Sequence, residues 1–564
     1  MHSIAIIGSG PTSIYTTKHL LDSARGPVSV TIFESQAQAG KGTPYHPDWN
    51  NSAMLANIAS IELPPVKETL VEWLTRQADD TLETMGVARN TIDERTFFPR
   101  VVLGEYYHDQ MKQLIKVAQI SGHALTLKTS SPVDDVIINQ GDICIAYRCE
   151  GDYRRHARFD TVVLATGHQW PEHPEIRRGY FLSPWPVSAL ESIGNCHVGI
   201  RGTSLSAIDA AIALSTARGK FLTDENGNLR YEANPGTDGF RMTCMSRKGL
   251  LPEADFYHPI PYEPLKFCTH EAVEALIAKN YSDLLDRTFT IFRRELELSS
   301  PGYASDIKLE NLGLENFCEA YFKTRQNTDP FVWAEQNLTE AIRNQSRKYT
   351  VPWRYAILRM HEVVALIAPH LTAEDYARFS KYLKPVFVDD YATVPHESIE
   401  RMLALYRAEK LCILAIGEDY KLDTHCSQGG ATLQLYGDEI HFPAFIEAMG
   451  QRTLSAREFP FPSLRQQGVI KDVKAYSLKS NGAKEIGGIA LDSAFRPVSS
   501  LAQARNLYCL SLPFMLGQYP FAQGITSSND MGQKTAQKII DQIHGDKQSM
   551  PVTDKSESTE GRVA

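Results

Sequence analysis

The sequence predicts an α/β protein with two dinucleotide-binding, Rossmann-like domains and an inserted, mostly helical lobe. Three observations predict this fold. A glycine-rich turn, "GSGPTS" (residues 8–13), directly follows the apolar run "IAII". A similar turn, "GTSLSAID", begins at residue 202 after "HVGIR". Between residues 252 and 410, apolar side chains recur three and four positions apart, which is typical of amphipathic helices.

The first turn has the order of a dinucleotide-binding motif. "IAII" is typical of a buried parallel strand, and the helix that follows would point its N-terminus at phosphates. Gly8 and Gly10 allow a tight turn close to a pyrophosphate, and Ser13 supplies the third small residue. The next strand, "VSVTIFES", ends near Glu34, where such folds place an acid that holds ribose hydroxyls.

A later strand indicates which dinucleotide binds there. "TVVLATG" ends on Ala165, Thr166 and Gly167, small residues that let the chain pass close to a cofactor. A strand ending in this way resembles the second FAD-contacting motif of two-dinucleotide flavoproteins. We therefore predict FAD at the first turn and a fold of the two-dinucleotide flavoprotein type.

The second turn predicts a nicotinamide dinucleotide. We expect this site to include Gly202, Thr203, Ser204, Leu205, Ser246 and Arg247. Arg247 and the neighbouring Lys248 stand at the end of the next strand, where cations suit the 2′-phosphate of NADPH and an acid would suit NADH. Ser204 replaces the usual second glycine, so its side chain either crowds the pyrophosphate or donates a hydrogen bond to it. Asp209, further along the helix, is either a cap partner or a polar surface residue.

Composition excludes several classes of function. A net charge of −9 argues against a nucleic-acid or anionic-membrane partner. No apolar run reaches 18 residues, and the start lacks the features of a signal peptide, so we expect a cytoplasmic protein. The nine cysteines have no metal-ligand spacing, and His168 and His173 lack companions for a metal. Cys144 and Cys149 have a CxxxxC spacing that a redox disulfide could use, but on the predicted β-hairpin their side chains would point to opposite faces, so we expect unpaired cysteines. The oligomeric state stays open.

The remaining segments complete the predicted organisation. The helical lobe would cover the site, with Trp353 and Arg354 either contacting substrate or serving as core residue and surface ion pair. A C-terminal helix, capped at Ser527, Ser528 or Asn529, would direct its N-terminus at the flavin, and we place Thr526 in the cofactor site. The predicted parts are the FAD-binding domain (1–190 and 446–544), the start of the NAD(P)-binding domain (191–265), the lobe (266–410), return strands (411–445) and a disordered tail (545–564).

Longer motifs carry a resemblance to a family. "GKGTPYHPDWNNSAMLANIAS", "SRKGLLPEADFYHPIPYEPL" and "VPWRYAILRMHE" resemble the bacterial FAD/NAD(P)-binding proteins typified by YdhS, over residues 1 to about 540. More distantly, the first domain is similar to flavin-dependent amino-acid N-monooxygenases, which usually carry glycine where Ser204 stands. The resemblance places around the FAD adenosine diphosphate Gly8, Ser9, Gly10, Pro11, Thr12, Ser13, Glu34 and Ser35. It places on the flavin side Thr43, Leu55, Asn57 and Ile58, and near cofactor or substrate Arg100 and Gly104.

These observations predict an FAD-dependent, NADPH-using oxidoreductase. The preferred activity is a monooxygenase that attacks a small substrate, such as an amine, through a flavin C4a-hydroperoxide. One alternative is a reductase or dehydrogenase that passes electrons to a quinone or another acceptor. A second alternative is a non-catalytic flavin-binding protein, motivated by Ser204. The sequence assigns no catalytic acid or base.

Overall fold

A computed structural model describes residues 1–149, 152–171, 173–480 and 482–548. Its first sheet has five parallel strands. Their order is Leu507–Cys509, Thr161–Leu164, His2–Ile7, Val28–Phe33 and Ala124–Lys128. The central strands are mostly buried and rich in Ile and Val, as expected for a parallel sheet covered on both faces. The helices Pro11–Ser23, Arg100–Ile120 and Ile525–Gln548 belong to this domain.

The second sheet has six strands around the second glycine turn. Their order is Leu411–Ala415, Arg241–Ser246, His197–Arg201, Ala444–Glu447, Tyr180–Phe181 and Glu175–Arg177. The first five run parallel, and the last is an antiparallel edge strand. Helix Leu205–Thr216 follows the turn, so the prediction of an α/β fold with two Rossmann-like units is confirmed.

Small antiparallel sheets of two or three strands are attached to both domains. Their strands are Val133–Ile138, Ile143–Cys149, Tyr153–Phe159, Gly219–Thr223, Leu229–Ala233, Lys421–Asp423, Ala431–Leu435, Asp438–Phe442, Asp472–Ser477 and Gly482–Ile489. Short helices Leu70–Thr75, Asp79–Thr84 and Pro462–Gln466 lie in the first domain. Cys144 and Cys149 lie on one of these sheets, and all nine cysteines are free thiols, as predicted.

The predicted helical lobe is present, and it has its own core. Its helices are His270–Ala278, Leu284–Ser299, Pro301–Asp306, Leu314–Gln326, Pro330–Ser346, Pro352–Ala365, Ala373–Arg378, Lys384–Tyr391 and His396–Arg407, with a π-helical turn at Phe379–Leu383. Phe292, Phe317 and Phe387 lie at the centre of that core. Helices Pro330–Ser346 and His396–Arg407 instead pack into the core of the second domain.

The lobe also contacts the first domain at Phe521. The Phe521 ring is buried among the lobe rings of His361, Phe379, Phe387 and Tyr391, with centroids 5.6–6.2 Å away. A chain segment inserted into the second domain is thus attached to the first.

Two features differ from the sequence-based expectations. The C-terminal helix begins at Ile525, so Ser527, Ser528 and Asn529 lie inside its first turns instead of capping it. The strand Ala444–Glu447 crosses the predicted boundary between residues 445 and 446, because it pairs with His197–Arg201 of the second sheet. The helix extends to Gln548, and the rest of the predicted tail, 549–564, lies outside the described residues.

Within the described part of the chain, no helix has the length and apolar character needed to cross a membrane. The same residues contain no cluster of three or more metal-ligating side chains.

Candidate functional site

A cavity of about 520 Å³ lies at the carboxyl ends of the strands of the first sheet. Its volume falls in the range of small-molecule and cofactor sites, and open α/β sheets bind ligands at this edge. Its wall includes most of the predicted FAD residues: Gly8, Ser9, Gly10, Pro11, Thr12, Glu34, Ser35, Thr43, Ala165, Thr166 and Gly167. Ser13 lies behind the wall, fully buried in the helix that follows the turn.

The first glycine turn fits tightly against the neighbouring strand. Gly8 has φ +98°, and a Cβ there would lie 2.3 Å from the carbonyl oxygen of Ala165. Only glycine therefore allows this approach. Helix Pro11–Ser23 begins directly after Gly10, so its free N–H groups and positive dipole end lie at the cavity wall. This end of the cavity suits the pyrophosphate of a dinucleotide.

Glu34 lines the cavity and also braces the turn. Its carboxylate accepts hydrogen bonds from Ser9 N (3.1 Å) and Ser9 Oγ (2.5 Å), and from Ser35 Oγ (3.1 Å) and Gln36 N (2.8 Å). A carboxylate has about four acceptor positions, so these donors occupy the available capacity. A ribose hydroxyl would therefore replace one of them, and Glu34 fixes the turn as well as facing the ligand.

A second helix N-terminus reaches the same cavity. Gln523, Gly524, Ile525 and Ser528 lie in the wall, at the start of the C-terminal helix. Thr526, which the sequence predicts in the cofactor site, is not part of this wall. Two helix N-termini on one cavity stabilise negative charge at both places, which suits a phosphate and a reduced flavin. Aromatic side chains complete the wall between them: Tyr45, His46, Trp49, His168 and Trp170. These residues fit FAD.

Two residues predicted on the flavin side and one predicted near cofactor or substrate line a second, smaller cavity. Leu55, Asn57 and Arg100 line a separate cavity of about 10 Å³, together with Leu205 and Asp209 of the second domain. The helix Arg100–Ile120 begins at Arg100, whose side chain reaches Asp209 of the second domain.

Two more predictions have structural explanations. Ile58 packs at the edge of the first domain's core and is absent from the wall of the 520 Å³ cavity. A Cβ on Gly104 would lie 2.3 Å from the carbonyl oxygen of Tyr45, so this glycine lets a helix pack against the loop that lines the cavity.

Arg100 and Asp209 form a buried ion pair between the two domains. Arg100 Nη2 lies 2.7 Å from Asp209 Oδ2, and Arg100 Nε donates to the Leu55 carbonyl (3.2 Å). Burial raises the pKa of Asp209 to about 6, and Arg100 opposes this rise. Asp209 is therefore neither a cap nor a surface residue, and the helical pattern around it did not reveal this partner.

The second glycine turn repeats the geometry of the first. A Cβ on Gly202 would lie 2.3 Å from the carbonyl oxygen of Ala448, and Ala448 N donates to Arg201 O (2.8 Å). Ala448-Met449-Gly450 thus corresponds to Ala165-Thr166-Gly167. Gly167 and Gly450 have similar positive φ angles, +65° and +81°. The sequence shows Gly450 after an apolar strand, which is typical of a return to a nucleotide domain, but not that this segment pairs with the turn at Gly202.

The predicted NADPH residues lie together around this turn. Thr203 Oγ1 donates to Ser246 Oγ (3.0 Å), and Ser204 precedes helix Leu205–Thr216 with an exposed side chain that makes no cap hydrogen bond. Arg247 is half-exposed, 3.4 Å from Glu418. Lys248 instead points into the lobe, 3.0 Å above the ring of Phe322. Arg247 is thus the cation of this pair that remains accessible.

Trp353 and Arg354, the two lobe residues considered for substrate contact, both make contacts within the protein. Trp353 stacks on Tyr303 with ring centroids 4.6 Å apart. Arg354 is buried and pairs with the buried Glu253, which also accepts from Trp333 Nε1 (3.1 Å). Arg354 and Glu253 therefore form an interior ion pair that joins the lobe to the segment after strand Arg241–Ser246.

Comparisons with known proteins place this architecture in a family. Residues 5–169 match a family model described as FAD-NAD(P)-binding, and residues 269–391 match one described as a YdhS-like middle domain. YdhS of Escherichia coli (strain K12) is 41% identical over 540 residues, which cover 96% of this chain and 98% of YdhS. The chain belongs to the YdhS family. The resemblance inferred from the sequence is thus confirmed, and the family's middle domain corresponds to the helical lobe.

Solved structures with similar folds include flavin-dependent hydroxylases. Ornithine hydroxylase PvdA from Pseudomonas aeruginosa is 12% identical with a TM-score of 0.49, covering 96% of this chain and 100% of that one. Ornithine N-hydroxylase KtzI from Kutzneria sp. 744 is 11% identical with a TM-score of 0.48, at the same coverage. Bacillithiol disulfide reductase Bdr from Bacillus cereus is 11% identical with a TM-score of 0.42, covering 96% and 99%.

The family model confirms the predicted cofactors. This YdhS-family chain is a flavoprotein with sites for FAD and a nicotinamide dinucleotide. FAD supplies the electron-transfer chemistry when bound, and the protein supplies binding, orientation and exclusion of water. These two cofactors form the pair used by flavin-dependent NAD(P)H oxidoreductases.

Proposed function

We propose that this protein uses NADPH to reduce its FAD and acts as a monooxygenase on a small substrate, such as an amine. The observation that carries the proposal is the repeated turn: Gly8 against Ala165 and Gly202 against Ala448 form two equivalent dinucleotide crevices. The loops that follow meet directly, since Gln169 N donates to Gln451 Oε1 (2.9 Å). Accessible Arg247 supports NADPH over NADH.

The second part of the proposal is the identity of the molecule that accepts electrons from the reduced flavin. A disulfide acceptor requires a reactive thiol beside the flavin, and no cysteine lines the 520 Å³ cavity within the described residues. The lobe packs on Phe521, directly before the cavity-lining residues 522–525, and a lobe in this position would help to keep water from a reactive oxygen species. Both observations favour oxygen as the electron acceptor.

Anaerobic titration with NADPH tests the first step. NADPH should bleach the flavin absorbance near about 450 nm, whereas NADH should do so at least about tenfold more slowly. A flavin band that NADPH leaves intact, in the presence of every candidate substrate, would refute the proposal.

Stopped-flow mixing of the reduced protein with oxygen tests the second step. A transient near about 380 nm, the signature of a flavin hydroperoxide, is expected before the oxidised spectrum returns. A panel of small amines should then give products heavier by one oxygen atom. Fast turnover of a quinone without the transient would instead identify a reductase.

A further inference from the structure

His168 is a cavity side chain that no protein group satisfies. It directly follows Ala165-Thr166-Gly167 and lines the 520 Å³ cavity. Within the described residues, neither of its ring nitrogens makes a hydrogen bond, and its ring contact is with Trp170. By contrast, His46 in the same wall accepts a hydrogen bond from Asp48 N (3.2 Å). An accessible imidazole without a protein partner is available to a ligand.

Neighbouring residues hold the His168 ring in place. It stacks on Trp170 with centroids 6.0 Å apart and planes inclined by 4°, and Trp170 in turn packs on Trp185 at 5.0 Å. The residue between them is fixed by the bond from Gln169 N to Gln451 Oε1. A ring that is fixed before the ligand arrives loses little conformational entropy on binding.

Its surroundings keep the His168 imidazole neutral. Burial and, to a smaller extent, the Arg100 guanidinium together lower its pKa to about 4. Arg100 is in turn paired with Asp209. A neutral imidazole offers one hydrogen-bond donor and one acceptor. The polar edge of a flavin ring likewise carries both donor and acceptor groups.

We propose that His168 hydrogen-bonds the isoalloxazine ring of the bound FAD directly, and that Trp170 and Gln451 hold it for this contact. The inference rests on the proposed function in that it takes the ligand of this cavity to be FAD. It adds a cofactor-contacting residue to a site for which the sequence assigned no catalytic group. A hydrogen bond from His168 to the ring would affect the absorption spectrum and the midpoint potential of the flavin.

Variants of His168 test this contact by cofactor properties as well as by activity. His168→Phe keeps a ring on Trp170 and removes both polar atoms, whereas His168→Gln keeps a donor and an acceptor. We expect His168→Phe to weaken FAD binding to the apoprotein about tenfold and to shift the flavin spectrum and midpoint potential. His168→Gln should stay within about threefold of the native Kd. His270→Gln, on the exposed face of a lobe helix, is the matched control.

The pH dependence provides a second measurement. Because His168 is neutral well above its pKa of about 4, the difference in FAD affinity between native protein and His168→Phe should be constant from about pH 6 to 9. His168→Ala repeats the measurement if the phenylalanine variant fails to fold by circular dichroism.

Three results would overturn the assignment. The first is a His168→Phe or His168→Ala variant with native FAD affinity, spectrum and potential. The second is a change in NADP⁺ affinity alone, which would assign the contact to the nicotinamide. The third is a titration of the affinity difference near pH 6.5, which would show a charged imidazole. Failure of the native protein to bind FAD would instead refute the proposed function itself.

Discussion

At the scale of single residues, the two glycine turns show what local sequence can and cannot predict. "GSGPTS" and "ATG" were both identifiable because each follows a clear apolar strand in the same domain. Ala448-Met449-Gly450 has the same pattern, but its strand has only four residues and lies about 240 positions from its partner turn. Residue-level motifs were therefore predictable, whereas the pairing between distant motifs required the fold.

A substitution at Gly202 tests whether the second glycine turn binds the nicotinamide dinucleotide. Gly202→Ala places a methyl group against the Ala448 carbonyl, and the strained turn should weaken NADP⁺ binding by at least about tenfold while FAD content stays native. Calorimetric titration with NADP⁺ measures the effect. Gly194→Ala, where a Cβ meets open space, is the control. Equal NADP⁺ affinity in the two variants would contradict the proposed role of this turn.

The raised pKa of Asp209 predicts that the unfolding free energy of the protein depends on pH. Its pKa rises from 3.8 unfolded to about 6 folded, so the folded state binds the proton more tightly between these values. The unfolding free energy of the native protein should therefore fall, relative to Asp209→Asn, by up to about 3 kcal/mol as pH rises from about 4 to 6. Urea unfolding at several pH values measures this difference.

The control for that measurement is Asp238→Asn, an exposed position in the same domain, which should give no such slope. A flat difference between native protein and Asp209→Asn would show that the buried pair does not titrate in this range.

At the scale of elements, the helices themselves were predictable but their partners were not. The C-terminal helix and the helix Pro11–Ser23 pack closely along their lengths, although about 500 residues separate them. Thr12 Oγ1 donates to Ser528 Oγ (3.1 Å), and Gly532 brings the helices together. Helical periodicity identifies an apolar face without specifying what covers it.

Gly532 tests this helix pair. A Cβ at Gly532 would lie 2.8 Å from Thr16 N, so Gly532→Val should destabilise the protein by about 1–3 kcal/mol and lower its FAD content. Thermal unfolding and the ratio of flavin to protein absorbance measure both effects. Gly545→Val in the same helix, where a Cβ meets no neighbour, should change neither FAD content nor packing. Similar FAD loss in both variants would rule out close packing as the cause.

At the scale of the whole molecule, the predicted architecture was right and its internal contacts were not foreseen. The lobe was expected to cover the site. Among the described residues, no lobe residue lines the 520 Å³ cavity, although lobe rings surround Phe521, which precedes the cavity-lining residues 522–525. Arg100 shows such an unforeseen contact. Family resemblance places it near cofactor or substrate, and its guanidinium also pairs with Asp209 at the domain boundary. Interfaces between domains depend on three-dimensional proximity, which periodicity and spacing do not encode.

Phe521 tests the connection between lobe and cofactor site. Phe521→Ala removes the ring from four lobe partners and should destabilise the protein by about 3–5 kcal/mol. Hydrogen exchange should increase both in lobe residues 373–391 and in the cavity-lining segment 522–531. Tyr436→Ala, at a largely exposed aromatic residue, is the control. Faster exchange in the lobe alone would show that the two regions are not coupled.

The packing of four lobe rings around Phe521 also has an evolutionary consequence. Residue 521 and the lobe rings near residues 361–391 lie more than 100 positions apart, yet they share one packing space. A family member that changes the size of residue 521 would have to change the lobe rings as well. The lobe could then diversify only together with the segment that leads to the cofactor cavity, by paired substitutions in two distant parts of the gene.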